Sequence, residues 1–339
     1  MQAIRLEHHG GPSVFKQRDM AEPEPGAGEL RIRVAAAGIN FADILARQGI
    51  YPACPPLPCT IGYEAAGVVD AVGAGLSPDW IGRSVMALTD FGAYAEAVCV
   101  AAEYVWALPP GLSATDAVAV PLNGITAWGL LVAMGALEAS DTVLIHNAGG
   151  GVGLAAVDIA RHVGATIIAT ASLTKHERLL DRGVDHVVDY RLSDWEAAVL
   201  DITEGEGVEL AIDPIGGRHW RRSFAVLRST GRLGMYGISS ASAPGVIGKL
   251  GLLRLFAGAP IFHPARLIPG NRGVFGINIH AMYEESARFG RWMEKLLAGL
   301  QAGWLRPTVD RVFPFSEVAV AHAYIEARQN FGKVVLVPG

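Results

Sequence analysis

Cysteine is scarce in this chain, with three residues among 339. Because three is an odd number, a disulfide framework of the kind that holds small secreted domains together is not expected. Cys54 and Cys59 lie on either side of a Pro-Pro-Leu-Pro loop, but no third or fourth ligand accompanies them, as a structural zinc site requires. We therefore expect a protein of a reducing, cytoplasmic environment that has no structural metal.

A charge of one sign is also lacking. The chain carries 28 basic and 33 acidic residues, for a formal net charge of −5, and both signs are spread along its length. Such a distribution provides no broad cationic face for nucleic acid or for an anionic membrane. The cationic cluster at residues 218–222 is more typical of a solvated helix face than of a binding patch.

Neither a secretion signal nor a membrane span is expected. Residues 1–7 form a charged strand pattern without the apolar centre of a signal peptide. The uncharged run at residues 117–137 is long enough to cross a bilayer, but Pro121, Asn123 and Gly124 interrupt it. A helix buried between two domains is the better interpretation of this run.

What the chain has in quantity is glycine, with 41 residues, and one glycine cluster carries most of the information. The apolar run 142–146 leads into Ala-Gly-Gly-Gly-Val-Gly at 148–153, and a helical pattern follows as far as Gly164. Strand, glycine turn and helix form a nucleotide-binding unit, in which a pyrophosphate binds at the free N–H groups of the new helix. Because strand-like and helical stretches keep alternating through Gly237, we predict a dinucleotide rather than an ordinary turn.

The cofactor preference is predicted from a missing acid. In an NAD-selective site a carboxylate follows the second strand and holds the ribose 2′-hydroxyl. Here that strand, 166–170, is followed by Ala-Ser-Leu-Thr-Lys, so that Ser172 and Lys175 stand where a carboxylate would repel an additional phosphate. The pattern favours NADPH over NADH; the alternative is that Lys175 is a solvated residue in the first turn of a helix.

The distribution of strands predicts an α/β protein with two domains. Short strands broken by Gly and Pro at 3–6, 30–35, 65–72, 83–88 and 94–100 are typical of a small, mostly antiparallel barrel. Ser113 and Asp116 form a capping box that begins a helical connector. We assign 1–121 and 280–339 to the barrel domain and 122–279 to a doubly wound parallel sheet.

Beyond residue 239 the pattern is less regular. The glycine-rich and apolar stretch 239–272, with 250–261 almost uncharged, favours a pocket wall or a dimer contact over a membrane-facing or substrate-capping excursion. Residues 273–278 are typical of a sixth strand, 282–300 of a long amphipathic helix, and 309–339 of a strand, helix and strand that rejoin the barrel.

Together, several stretches resemble the medium-chain dehydrogenase/reductase superfamily, and within it the quinone oxidoreductase branch. They are 37–43, 49–52, 62–67, the glycine turn and 330–334, while 55–58 and 335–339 are most similar to the synaptic-vesicle amine-transport-like reductases of that branch. The resemblance implies a GroES-like barrel domain, a Rossmann domain and a cofactor in the cleft between them. It also implies a homodimer, formed by extension of the sheet across the edge at 273–278.

The resemblance also identifies positions where a metal would be held. Zinc-dependent alcohol dehydrogenases of the superfamily place a cysteine where this chain has Asn40 and a histidine where it has Tyr63. Neither replacement is a good zinc ligand, so the Lewis acid of those enzymes is expected to be missing. Hydride transfer alone suits an acceptor that is already electron-poor, such as a quinone or an enone, because the developing charge delocalises within the substrate.

The functional residues that the resemblance implies fall into two groups. For the substrate they are Asn40 and Tyr51, with a polarising role, although a neighbouring tyrosine of the bacterial enzymes is Leu45 here. For NADPH they are Gly150, Gly151, Val152 and Gly153 at the pyrophosphate, Ser172, Lys175 and Tyr190 at the ribose phosphate, Asn123, Thr126, Gly237, Ser239, Phe275 and Asn278 at the nicotinamide, and Lys333 near the phosphates.

Each side-chain assignment has a structural alternative. Asn40 could satisfy loop backbone groups, Tyr51 could be an aromatic wall, and Tyr190 could be a strand-end aromatic. Asp213 could be a turn former, His146 could cap the glycine turn or line the cofactor crevice, and Lys333 could be a surface charge. Two other functions also stay open: an enoyl-thioester or polyketide enone reductase, and an NADPH-binding protein with little catalytic role, as in lens crystallins or vesicle-associated relatives.

Overall fold

The structure, a computed structural model, describes residues 1–191, 194–242, 255 and 257–339. The chain divides into two compact units. The first comprises residues 1–125, 279–303 and 307–339, and the second comprises residues 126–278 and 304–306.

The described strands are β1 (Gln2–Leu6), β2 (Phe15–Asp19), β3 (Glu29–Ile39), β4 (Glu64–Val72), β5 (Ser84–Leu88), β6 (Ala97–Ala101), β7 (Val105–Ala107), β8 (Thr142–Ile145), β9 (Thr166–Ala171), β10 (His186–Asp189), β11 (Val208–Asp213), β12 (Leu227–Met235), β13 (Gly273–Gly276), β14 (Val309–Pro314) and β15 (Lys333–Val337). The described α-helices are α1 (Phe41–Arg47), α2 (Ala114–Ala117), α3 (Pro121–Trp128), α4 (Gly151–Val163), α5 (His176–Arg182), α6 (Trp195–Ile202), α7 (Arg218–Ala225), α8 (Pro264–Gly270), α9 (Ser286–Gln301) and α10 (Val318–Glu326).

The first unit is built on a mostly antiparallel sheet. Its strand order is β14-β15-β3-β4-β5-β7, with β6 also paired to β3, while β1 and β2 form a separate antiparallel pair. β3 is eleven residues long and pairs with β15, β4 and β6, so it lies at the centre of the unit. The predicted return of the carboxyl-terminal segment to the barrel is confirmed, because β15 pairs antiparallel with β3.

The second unit is a doubly wound parallel sheet, as predicted. Its strand order is β10-β9-β8-β11-β12-β13, and all the pairs are parallel. The chain runs outwards from β8 to β10 on one side and from β11 to β13 on the other. The order therefore reverses between β8 and β11, which is the point where sheets of this type bind their ligands.

Local sequence signals place two of the helices. The predicted cap of α2 is confirmed, because the Ser113 Oγ accepts a hydrogen bond from the Asp116 N–H at 3.1 Å. The helix predicted to begin at residue 282 begins instead at Ser286. The reason is that residues 280–282 form a separate 3₁₀ turn, in which the Met282 N–H bonds the Ile279 carbonyl at 3.0 Å. The buried face of α9 has the predicted helical spacing, with Phe289, Trp292, Met293 and Leu296.

One apolar helical stretch, Ala114–Ala133, is long enough to span a bilayer, and 72% of its apolar window is buried inside the protein. Such burial is typical of a core helix. Half of the apolar segment 250–261, interpreted above as a pocket wall or dimer contact, lies outside the described residues, namely 250–254 and 256.

Candidate functional site

The glycine turn lies between β8 and α4. Gly150 is the N-cap of α4, and the helix runs for 13 residues before it ends at Gly164 in the left-handed conformation. A Cβ atom on Gly153 would lie 2.5 Å from the Asn147 carbonyl oxygen and 2.6 Å from the Ala148 Cα, both of them backbone atoms. A Cβ on Gly150 would meet the Asn147 side chain at 2.9 Å. Glycine is therefore required at position 153, and the N–H groups of the first turn of α4, which have no acceptor within the helix, would provide a cradle for a pyrophosphate.

The residues predicted at the adenine ribose phosphate follow two neighbouring strands. Ser172 comes directly after β9, Lys175 is the N-cap of α5, and Tyr190 comes directly after β10. Because β8, β9 and β10 are parallel, these positions share the sheet edge that carries the glycine turn. The Ser172 side chain is almost fully buried, and the Arg191 guanidinium lies 5.9 Å from the centre of the Tyr190 ring.

Four of the residues predicted at the nicotinamide lie on or after β12 and β13. Gly237 and Ser239 follow β12, Phe275 lies in β13, and Asn278 follows β13. The Ser239 N–H bonds the Pro214 carbonyl at 2.8 Å, which ties this loop to the end of β11. The other two predicted residues, Asn123 and Thr126, are buried in α3. The Asn123 Nδ2 donates to the Ala119 carbonyl at 3.1 Å.

A buried polar network flanks the point where the strand order reverses, and the sequence did not predict it. The Asp213 carboxylate accepts hydrogen bonds from the Ile215 N–H at 2.7 Å, from the Ser223 hydroxyl at 2.6 Å and from the His219 Nδ1 at 2.6 Å. The bond to Ile215 confirms Asp213 as a turn former. His146 neither caps the glycine turn nor lines a crevice, because it is fully buried with its ring nitrogens 2.9 Å from the Thr170 Oγ1 and 3.1 Å from the Ser223 Oγ.

Burial sets the charge states of this network. It lowers the pKa of His146 to about 3, with help from the nearby His219, so the ring is neutral. Burial alone would raise the pKa of Asp213, but the hydrogen bond from His219 and the surrounding histidines and Ser223 bring it below its ordinary value. His146, Asp213 and His219 hold ligand atoms within 4.8 Å of one another. Hydrogen bonds already engage all three side chains, so the network accounts for them without a metal.

The first unit contains a second buried polar cluster, around Asn40. The Lys333 ammonium forms an ion pair with Glu64 and donates to the Asn40 Oδ1 at 2.6 Å, while the Asn40 Nδ2 donates to the Glu64 Oε1 at 2.8 Å. The Leu122 N–H bonds the other Glu64 oxygen at 3.0 Å. Lys333 is 2% exposed, so the interpretation as a surface charge is wrong. Its predicted contact with the cofactor phosphates stays a prediction.

Asp43 lies beside this cluster in the first turn of α1. Its Oδ2 accepts the Asn40 N–H at 2.8 Å, and the side chain is fully buried. Burial raises its pKa from 3.8 to about 7, since the hydrogen bond from Asn40 and the charge of Lys333 offset only part of the desolvation.

Asp43→Asn is expected to make stability less dependent on pH. The folded state binds the Asp43 proton more tightly than the unfolded chain does, so its contribution is full below pH 3.8 and is lost as the pH rises to about 7. Asparagine retains the acceptor for the Asn40 N–H. Relative to the wild type, the variant should therefore gain on the order of 1–3 kcal/mol in unfolding free energy between pH 4 and pH 8.

Denaturant unfolding at several pH values measures this effect, with the exposed Asp79→Asn as the control. A constant difference between Asp43→Asn and the wild type across this range would contradict the expectation.

Four aromatic rings form a cluster that is called the aromatic box below: Tyr51, Tyr63, Phe91 and His280. The ring centres lie 5.9 Å apart for Tyr51 and Tyr63, 6.3 Å for His280 and either tyrosine, and 4.5 Å for Tyr63 and Phe91. The His280 Nε2 lies 3.1 Å from the Asp90 Oδ1. Since Tyr63 directly precedes Glu64, the aromatic box adjoins the cluster around Asn40, and the two predicted substrate residues belong to one region of the first unit.

Asn40 and Tyr63, at the two positions where zinc-dependent relatives hold their metal, are poorly suited to bind zinc. Asn40 uses its amide oxygen for Lys333 and an amide hydrogen for Glu64. The Tyr63 side chain is 3% exposed, and burial raises its pKa far above the ordinary value, so the phenolate that could bind a metal does not form. No thiolate or imidazole replaces them at these two positions.

Two protein-family models match the chain. The model described as "Alcohol dehydrogenase GroES-like domain" matches residues 26–110, and the model described as "Zinc-binding dehydrogenase" matches residues 182–336. The first model lies within the predicted barrel domain, and the second covers residues of both predicted domains.

Individual proteins match over nearly the whole chain. The human synaptic vesicle membrane protein VAT-1 homolog is 37% identical, over 100% of this chain and 87% of its own length. A 2-haloacrylate reductase from a Burkholderia species is 33% identical, over 99% of this chain and 98% of its own. The structure of Escherichia coli quinone oxidoreductase complexed with NADPH is similar with a TM-score of 0.87 and 28% identity, over 100% of both chains.

Proposed function

We propose that this chain, which belongs to the quinone oxidoreductase branch of the medium-chain dehydrogenase/reductase superfamily, reduces electron-poor carbonyl compounds with NADPH and without a metal ion. Membership of this branch makes the chain an oxidoreductase. The acceptor is a quinone or an α,β-unsaturated carbonyl compound, and the relatives that support this choice include a 2-haloacrylate reductase.

The observation that carries the proposal is the glycine cradle at the start of α4. It lies where the strand order of the parallel sheet reverses, and its N–H groups would hold the pyrophosphate. Around it, Ser172, Lys175 and Tyr190 would hold the adenine ribose phosphate, and Gly237, Ser239, Phe275 and Asn278 would meet the other end of the cofactor. When bound, NADPH supplies a hydride.

The residues of the first unit would bind and polarise the acceptor. Asn40 retains a second amide hydrogen beyond the one given to Glu64, and it is held in one orientation because Lys333 bonds its oxygen. A donor fixed in this way can bond the acceptor oxygen as negative charge develops there. The Tyr51 hydroxyl is proposed to bind the same oxygen from the aromatic box.

Lys175 is proposed to select NADPH. An ammonium that bonds the 2′-phosphate contributes roughly 1.5 to 3 kcal/mol, so Lys175→Ala should weaken NADPH binding by one to two powers of ten and leave NADH binding unchanged. Fluorescence titration with both cofactors measures this, with the exposed Lys16→Ala as the control. Equal losses for the two cofactors, or no loss, would remove Lys175 from the phosphate site.

The proposed activity is tested by following NADPH oxidation against quinones, enones and crotonyl thioesters, with NADH as the cofactor control. The proposal expects turnover with quinones and enones. A higher rate with crotonyl thioesters would favour the enoyl-thioester reductase. Tight NADPH binding without turnover on any acceptor would favour a binding protein, a role consistent with the similarity to the human synaptic vesicle membrane protein VAT-1 homolog.

A homodimer is proposed as the assembly. In the described sheet β13 is an edge strand, paired on one side with β12. A second copy could pair with its other side and continue the sheet.

A further inference from the structure

The aromatic box contains one group whose chemistry the proposed activity does not yet use. His280 begins the 3₁₀ turn at residues 280–282, and its ring contacts all three other rings, with 5.9 Å between its centre and that of Phe91. Its side chain is 26% exposed, and the carboxylate within 3.1 Å of its Nε2 belongs to Asp90. The ring is therefore open to solvent protons on one side and enclosed by aromatic surface on the other.

Hydride addition to a carbonyl acceptor leaves an anion that must take up a proton, and three nearby groups are poor donors. Burial raises the pKa of Tyr63 far above its ordinary value. Asp43 is fully buried, and its Oδ2 already accepts the Asn40 N–H. The Tyr51 hydroxyl is a phenol, which is a weak acid. Imidazole is the side-chain group that most often serves as a general acid, and the His280 ring belongs to the same aromatic box.

We propose that His280, held by Asp90, is the general acid that protonates the reduced acceptor, and that the acceptor is a flat α,β-unsaturated carbonyl compound seated against the aromatic box. The inference rests on the proposed reductase activity with an α,β-unsaturated carbonyl acceptor and adds to it a proton donor. Asp90 is a positioning residue, because it acts only through the imidazole ring.

The step balances without a further reactant. The hydride, with two electrons, comes from bound NADPH and forms a C–H bond at the far carbon of the enone. One ring N–H bond of the imidazolium breaks, and one O–H bond forms on the enolate oxygen. The enol then converts to the saturated ketone in solvent, and solvent returns a proton to the neutral ring.

The role of Asp90 follows from its contact with the ring. Tyr51, Tyr63 and Tyr283 pack against His280, and the Asp90 carboxylate lies beside its Nε2. Asp90→Asn keeps the imidazole but removes the carboxylate that orients it, so this variant should lower kcat with an enone by less than His280→Gln does.

The nature of the acceptor distinguishes a general acid from a structural residue. A quinone becomes an aromatic anion that is stable until solvent protonates it, whereas an enolate gains from proton transfer in the transition state. His280→Gln should therefore lower kcat with an enone by about 100-fold and kcat with a quinone by no more than about threefold. NADPH affinity should be unchanged.

The test compares both acceptors in His280→Gln, Asp90→Asn, Tyr51→Phe and the exposed control His8→Gln. Selective loss of enone turnover in His280→Gln, with a smaller selective loss in Asp90→Asn, would support the inference. The inference would be overturned if His280→Gln lost turnover equally with both acceptors or lost none, or if Tyr51→Phe showed the selective loss instead. Turnover of both acceptors by the wild-type protein would still support the proposed function in that case. Wild-type protein that reduced neither acceptor would contradict the proposed function itself.

Discussion

Gly153→Ala is expected to weaken NADPH binding by at least about 100-fold and to lower the stability of the second unit, because the added methyl group has no space. Its carbon would lie 2.5 Å from the Asn147 carbonyl oxygen and 2.6 Å from the Ala148 Cα. Both are backbone atoms of the turn, so they cannot rotate away as a side chain can. The turn would have to move away from α4, and the N–H groups that would face the pyrophosphate would move with it.

Gly150→Ala provides a graded comparison. Its methyl carbon would meet the Asn147 Nδ2 at 2.9 Å, and that side chain can rotate. We expect this variant to fold and to lose cofactor affinity because the methyl group stands where the pyrophosphate approaches the backbone. Gly290→Ala in α9 is the control, since nothing lies within 4 Å of its added carbon and alanine is favoured in a helix by about 1 kcal/mol.

Cofactor titration and thermal unfolding of the three variants measure both effects. Wild-type NADPH affinity in Gly153→Ala would show that the glycine turn is not the cofactor site.

Lys333→Met is expected to destabilise the protein by about 3–5 kcal/mol, because it leaves the Glu64 carboxylate buried without its cation. Both side chains of this ion pair are buried, at 2% and 0% exposure. Gly38 provides the space for the pair, since a Cβ there would lie 2.5 Å from the Lys333 Cε and 2.6 Å from the Glu64 Oε1.

The double variant Lys333→Met/Glu64→Gln separates the pair from the rest of the packing. With both charges removed, we expect most of the lost stability to return, since the remaining groups are neutral. The exposed pair Arg18 and Glu7 is the control, and Arg18→Met should cost less than about 1 kcal/mol. Denaturant unfolding measures all four proteins. A double variant as unstable as Lys333→Met would contradict the ion-pair explanation.

Parts of the fold that depend on neighbouring residues could be predicted from the sequence. The strand, glycine turn and helix from Thr142 to Gly164 are visible because turn chemistry and apolar spacing are local properties. The alternation that follows predicts a parallel sheet. The sequence pattern begins α9 four residues before the structure does, because Met282, in the 3₁₀ turn, has the same helical spacing as the buried Phe289, Met293 and Leu296.

The site is harder to predict because distant residues build it. Lys333 and Glu64 lie 269 positions apart, and His146 and Ser223 lie 77 apart. His280 and Asp90 are 190 positions apart, and no local pattern marks either of them. The two substrate residues named from the resemblance, Asn40 and Tyr51, do lie in one region of the first unit, but the groups that orient them were not visible in the sequence.

The central claim is that electrons pass from NADPH to an organic acceptor without a metal ion. The most direct measurement is the rate of NADPH oxidation with an enone, made on protein whose zinc content is determined before and after treatment with a chelator. The account predicts an unchanged rate in protein that contains no zinc. Stoichiometric zinc, with activity that chelation removes and added zinc restores, would contradict it.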